Sequence, residues 1–168
     1  MEFNMKLNKG DVTAKFEASK YYADVNVTIS DSAKNYEVSW REIDKLVNTL
    51  AEQVKGKGYD RIIGVARGGC VPAVMLSNRL DISYEQIVWQ TRDGKNQEVQ
   101  KLREMRDAGG KTLIVDDLID SGLTVTQLKS IAPHFDVAVL YAKTDTKLVD
   151  YVAKPMYDDA RWLAFPWE

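Results

Sequence analysis

Leu113-Ile114-Val115-Asp116-Asp117-Leu118-Ile119-Asp120-Ser121-Gly122-Leu123-Thr124 is the stretch whose reading decides the fold. Lys111 to Val115 is an apolar run of the kind that forms a buried strand. It delivers two adjacent carboxylates, Asp116 and Asp117, at its carboxyl end, the edge of an open α/β sheet where ligands bind. Asp120 to Thr124 then predicts a tight turn into a helix over Leu123 to Ile131. Gly122 allows the backbone close to a ligand, and Ser121 and Thr124 add hydroxyl donors. The helix start supplies N–H groups without intrahelical partners and a field that favours an anion. One segment therefore offers a phosphate cradle beside carboxylates suited to sugar hydroxyls or to a hard cation. A plain strand–turn–helix with Asp120 as its cap requires no such meeting of three acids, a glycine and two hydroxyls.

Working outward, the flanking segments alternate in type. Ser39 and Glu42 have the spacing of a capping box. After them Ile43, Leu46, Val47, Leu50, Ala51 and Val54 recur at helical spacing, and Gly56 and Gly58 close the helix. Arg61 to Ala66 and Asp136 to Ala142 are further buried-strand runs. Val71 to Leu80 predicts a helix, with Pro72 in its first turn. Ile87 to Trp89 is a short strand candidate, and Gln90 to Arg106 is polar and rich in charge. Strands alternating with helices imply βαβ units, hence an α/β fold with a parallel-centred β-sheet flanked by helices. The first segment, with Phe16, Tyr21, Tyr22, Val25, Val27 and Ile29, fits a small hairpin or a flexible leader. Arg161 to Glu168 is aromatic and irregular.

A second constellation is Gly64-Val-Ala-Arg-Gly-Gly-Cys-Val-Pro72. A strand runs into Arg67, Gly68 and Gly69 and then into a helix. The stretch lacks the lysine of a P-loop and the spacing of a dinucleotide fingerprint. By itself Arg67 is equally a surface charge and the glycines a plain turn. Lys143, just past a buried strand, is either a donor to a carbonyl oxygen or a solvated strand end. Trp162 either stacks on a flat base or packs in the core.

Composition narrows the function classes. The chain has 168 residues, enough for one domain with a core of useful size. A formal net charge of -2 gives no support to a nucleic-acid partner. No stretch approaches the ~20 apolar residues that span a bilayer, and the opening residues do not read as a secretory leader. The single cysteine, Cys70, excludes an intramolecular disulfide and is compatible with a reducing compartment. The expectation is a soluble, cytoplasmic protein with no membrane partner. His134 is the only histidine and stands without a cysteine cluster, which argues against a zinc site.

The stretch from Leu113 to Thr124 resembles the donor-binding motif of the type I phosphoribosyltransferases. That pattern is two hydrophobic residues, two acids, two hydrophobic residues, Asp, Ser or Thr, Gly, any residue, Thr, and the match is complete. Beside it, Arg67-Gly68-Gly69 looks like the pyrophosphate loop of purine phosphoribosyltransferases, with Ala66 where the family often has Ser. The order of Lys143, Trp162-Leu163 and the ending Phe165-Pro-Trp-Glu168 is similar to the bacterial and archaeal xanthine-guanine and hypoxanthine-guanine enzymes. The resemblance spans about Tyr36 to Glu168. It divides the chain into an extension of unknown role, residues 1–35, and a phosphoribosyltransferase domain, residues 36–168, with a small base-binding hood.

The resemblance implies transfer of a 5-phosphoribosyl group from 5-phosphoribosyl-1-pyrophosphate (PRPP) to guanine, xanthine or hypoxanthine, releasing pyrophosphate, in purine salvage. By it, PRPP is held by Arg67, Gly68, Gly69, Asp116, Asp117, Asp120, Ser121, Gly122, Leu123 and Thr124. Magnesium is the implied cofactor, with Asp117 touching the metal, and Asp120 is the implied catalytic acceptor of the purine N7 proton. Lys143 meets the 6-oxo group, Trp162 packs on the ring, and the Leu163 backbone reads the 2-position. The polar stretch Thr91 to Lys101 fits the family's mobile loop or a plain surface loop. A homo-oligomer, dimer or tetramer, is also implied. A non-catalytic PRPP-binding regulator and an enzyme for another base are the alternatives.

Overall fold

A computed structural model of the chain describes the backbone of residues 2–7, 10–18 and 23–28, and residues 34–91, 97–145, 147–157 and 159–168 in full. Tyr21, Tyr22, Ile29 and the part of the polar stretch over 92–96 lie outside the described residues. The chain divides into two units.

The larger unit covers Trp40–Asp159 and Trp167. Its sheet has five strands in the order β6-β5-β7-β8-β9. They are β5 (Arg61–Ala66), β6 (Ser83–Val88), β7 (Thr112–Ile119), β8 (Asp136–Ala142) and β9 (Tyr151–Pro155), and all pairings are parallel. Parallel strands need crossovers, supplied by α2 (Cys70–Leu80), α3 (Val99–Asp107) and α4 (Leu123–Ile131). Helix α1 (Trp40–Val54) buries Ile43, Leu46, Val47, Leu50, Ala51 and Val54, the six positions its periodicity marks. The centre of the sheet is fully apolar: Ile62, Ile63, Leu113, Ile114, Leu140 and Tyr141 are all completely buried. One core cluster packs Ile63, Ile114 and Val139 of the sheet with Leu102 and Met105 of α3 and Val125 and Leu128 of α4.

Three readings from sequence are corrected here. Strand β7 does not end at Val115 but continues to Ile119. Its ladder to β5 stops at Gly64↔Val115, while its ladder to β8 runs on to Ile119↔Ala142. One neighbour parts from the strand at the two acids and the other keeps them extended. Helix α3 and strand β9 form within stretches read as polar or left without an element. The aromatic end contains a short strand, β10 (Trp162–Ala164), rather than being wholly irregular. Cys70 is partly buried, with Sγ 3.6 Å from Gln86 Oε1.

The smaller unit covers Met1–Ser39, Ala160–Pro166 and Glu168. Strands β1 (Glu2–Leu7), β2 (Gly10–Ala18) and β3 (Ala23–Thr28) form an antiparallel sheet, so the first segment is a strand meander. Strand β4 (Asn35–Glu37) pairs in parallel with β10, with Leu163 opposite Tyr36. Arg161 lies over the Tyr36 ring, 4.9 Å from its centroid. Among the described residues no helix is long and apolar enough to cross a membrane.

Candidate active site

Two loops meet where β5 and β7 part. A Cβ built on Gly68 would lie 2.0 Å from Asp117 Oδ2. One on Gly69 would lie 2.4 Å from the Val115 carbonyl oxygen and 2.9 Å from Asp116 Oδ1. Gly69 faces backbone that cannot give way, so only glycine fits there, whereas any side chain at residue 68 would have to displace the Asp117 carboxylate. The Arg67-Gly68-Gly69 loop is thus packed directly on the Asp116–Asp117 pair. The loop is closed by Gly69 N donating to Val65 O at 2.9 Å and Cys70 N to Arg67 O at 3.2 Å. The Ala66–Arg67 peptide is cis, and the Arg67 side chain is exposed.

The second loop builds the cradle. Gly122 takes φ 80°, a left-handed conformation that glycine adopts without steric cost, and stands as the N-cap of α4. The first turn of α4 closes on it, with Thr126 N and Thr126 Oγ1 each donating to Gly122 O at 2.9 Å. A cavity of about 330 Å³ opens over this turn, lined by Thr91, Asp116, Leu118, Ile119 and the whole run Asp120 to Val125. Of the residues expected to hold the donor, Asp116, Asp120, Ser121, Gly122, Leu123 and Thr124 line this one cavity. Asp117 instead sits against Gly68, on the side of the Arg67 loop.

Asp116 and Asp117 form an electrostatic strain point. Burial first, and then the negative charge of Asp117, push the Asp116 carboxyl well above the usual carboxylate range. Asp117 N donates to Asp116 Oδ1 at 3.0 Å, which offsets part of that effect. A hard divalent cation or a sugar hydroxyl donor beside the pair would relieve the repulsion. Among the described residues no group of three or more His, Cys, Asp or Glu gathers into a metal cluster. Magnesium does not require one, since it is commonly held by one or two carboxylates together with substrate phosphates.

Lys143 follows β8 and is anchored beside the cradle. Its backbone N donates to Ile119 O at 2.9 Å, and the Thr144 hydroxyl donates to the Asp120 carbonyl. Trp162 and Leu163 belong to the smaller unit. Trp162 is 50% exposed, whereas Leu163 is 2% exposed. Trp162 N donates to Lys34 O at 2.7 Å and Val38 N to Ala164 O at 2.9 Å. The alternation of a parallel ladder therefore turns the N–H and C=O of Leu163 away from β4. Thr91, which lines the cavity, opens the polar stretch read from sequence as a mobile or plain surface loop and was given no ligand contact of its own.

Comparison with known proteins agrees with this architecture. The family model of the phosphoribosyl transferase domain matches residues 33–167. The xanthine-guanine phosphoribosyltransferase of Cereibacter sphaeroides is 33% identical over 147 residues, covering 80% of this chain and 87% of that one. That of Idiomarina loihiensis is 32% identical over 144 residues, covering 82% and 89%. Among solved structures, the purine phosphoribosyltransferase of Pyrococcus horikoshii has a TM-score of 0.60 at 28% identity, covering 80% of this chain and 94% of that one.

Proposed function

This chain belongs to the phosphoribosyltransferase family, and from that premise we propose that it transfers the 5-phosphoribosyl group of PRPP to a 6-oxopurine. The observation that carries the donor half is the cavity over Asp120 to Val125, with the Arg67 loop packed on the adjoining acid pair. The 5-phosphate would occupy the start of α4, where backbone N–H groups and the Ser121 and Thr124 hydroxyls can donate to it. Asp116 and Asp117 would accept from the ribose hydroxyls. The amides of Gly68 and Gly69, with Arg67, would receive the departing pyrophosphate. Asp117 would hold magnesium, whose contribution when bound is to neutralise charge on the leaving group.

In the reaction, a purine ring nitrogen forms a bond to the anomeric carbon as the bond to pyrophosphate breaks. The leaving group keeps the electron pair, and the purine loses one proton. Asp120, exposed at the cavity wall, would take that proton from N7. Catalysis would then consist mainly of positioning and of stabilising separated charge. The Trp162 ring would stack on the flat base. Leu163 offers its outward N–H and C=O to the 2-position, and the names of the 32–33% identical relatives support a 6-oxopurine with a group read there.

Lys143 sets the base preference. Its ammonium only donates, so it matches a 6-oxo group and opposes adenine's 6-amino group. Such a mismatch costs about 1–3 kcal/mol, or roughly fivefold to more than a hundredfold in selectivity. The test is to incubate the protein with PRPP, magnesium and a panel of bases and to measure nucleotide formed. Guanine, xanthine or hypoxanthine should be used well ahead of adenine, and Lys143→Met should narrow that gap by lowering 6-oxopurine use. Equal use of adenine and guanine would refute the base assignment. Donor binding without turnover on any base would point to a regulator instead.

A further inference from the structure

The segment that leaves β6 and returns into α3 is hydrogen-bonded to α4 through the Gln127 side chain. Trp89 and Gln97 face each other across an antiparallel bridge. Beyond it, Glu98 N donates to Val88 O at 3.0 Å and the Glu98 carboxylate accepts from Val88 N at 2.7 Å. Gln127 of α4 accepts from Trp89 Nε1 at 2.9 Å and from Gln97 Nε2 at 3.0 Å. Gln97 Nε2 also donates to Gln90 O at 3.3 Å. These partners fix both amides. An indole N–H only donates, so Gln127 must present its oxygen; Gln97 faces two oxygens, so it must present its nitrogen. Trp89 is 4% exposed, which shields the bond from water.

We propose that Gln127 is a positioning residue for donor binding. It holds both sides of this stem against the helix whose first turn forms the cradle, and so fixes Thr91 at the cavity wall. The inference rests on the donor-site reading above. Thr91 and Ser121 to Val125 line the same cavity but come from separate parts of the chain. A ligand that touches both must find them already in register, or ordering them is charged against its binding. Gln127 does not line the cavity, so its influence passes through Trp89 and Gln97.

Gln127→Met keeps the length and removes the acceptor, whereas Gln127→Glu keeps an acceptor. Dissociation constants for PRPP with magnesium, measured by calorimetry, and KM values for donor and base distinguish the two variants. Gln127→Met should raise the donor Kd and KM about tenfold, within the range that misplaced binding groups cost, and leave the base KM unchanged. Gln127→Glu should stay within about twofold of the wild type, because the acceptor is preserved. Thr91→Val should weaken donor binding in the wild type and add little in the Gln127→Met background. If Gln127→Met does not fold, Gln97→Met carries the same test, with a raised donor Kd expected. A folded Gln127→Met that binds PRPP as the wild type does overturns the inference, as does a Gln97→Met with wild-type donor affinity. A full, additive Thr91→Val effect overturns it as well. A wild-type chain that binds no PRPP removes both the inference and the donor-site reading, whereas wild-type binding with indifferent variants removes the inference alone.

Discussion

Asp116 is placed where folding alone would not choose a charge. Its carboxyl lies beside Asp117 and against Gly69, and burial with that neighbouring charge raises its pKa well above the ordinary range. An acid whose folded pKa exceeds its unfolded value of about 3.9 favours folding only while it keeps its proton. The wild type therefore loses stability as pH climbs from about 4 through the folded value. Asp116→Asn keeps the shape and does not titrate. It should raise the melting temperature by a few degrees at neutral pH, and the gain should vanish as pH falls towards about 4. The same variant should lose donor turnover, because the carboxylate that would receive ribose hydroxyls is gone. Melting curves over a pH series, with an activity assay, check both halves. A variant less stable than wild type at every pH would contradict the electrostatic account.

Among the elements, legibility followed burial. β5, β7 and β8 lie inside the sheet and read as continuous apolar runs, and α1 shows its buried face because one side meets the core and the other meets water. β9 is an edge strand whose residues are partly buried or exposed, so neither alternation nor an apolar run marks it. α3 fully buries only Leu102 and Met105, with Val99 partly buried beside them, too few apolar positions for a 3.6-residue period to stand out. The donor loop was legible because its parts are adjacent in sequence. The Gln127 clamp was not, because its partners lie 38 and 30 residues away and only folding brings them together. With only two side chains of α3 fully buried, each must matter. Leu102 is completely buried, and Leu102→Ala should cost about 2–5 kcal/mol in urea unfolding. A loss below about 1 kcal/mol would mean that the site collapses around the cavity or that α3 is not docked as described.

Across the whole molecule, the proposed roles divide between the two units. Arg67 to Gly69, Asp116 to Thr124 and Lys143 belong to the larger unit, and Trp162 and Leu163 to the smaller. Donor binding alone should therefore stabilise the larger unit without help from the base residues. A ligand that binds only the folded state adds about 2.7 kcal/mol at a concentration of 100 times its Kd. For a chain of this length each kcal/mol moves the melting temperature by about 2–4 °C, so saturating PRPP with magnesium should raise it by roughly 5–10 °C. Gly122→Val should lose most of that shift. A branched side chain at φ 80° is strained and would stand where the phosphate meets the backbone. Trp162→Ala should keep the PRPP shift and lose the further shift produced when a purine or its nucleotide is added. Differential scanning fluorimetry of the three proteins, with and without each ligand, reads all of these outcomes. A PRPP shift abolished by Trp162→Ala but retained by Gly122→Val would reverse the division of roles, because the donor would then depend on the aromatic residue of the smaller unit rather than on the turn that opens α4.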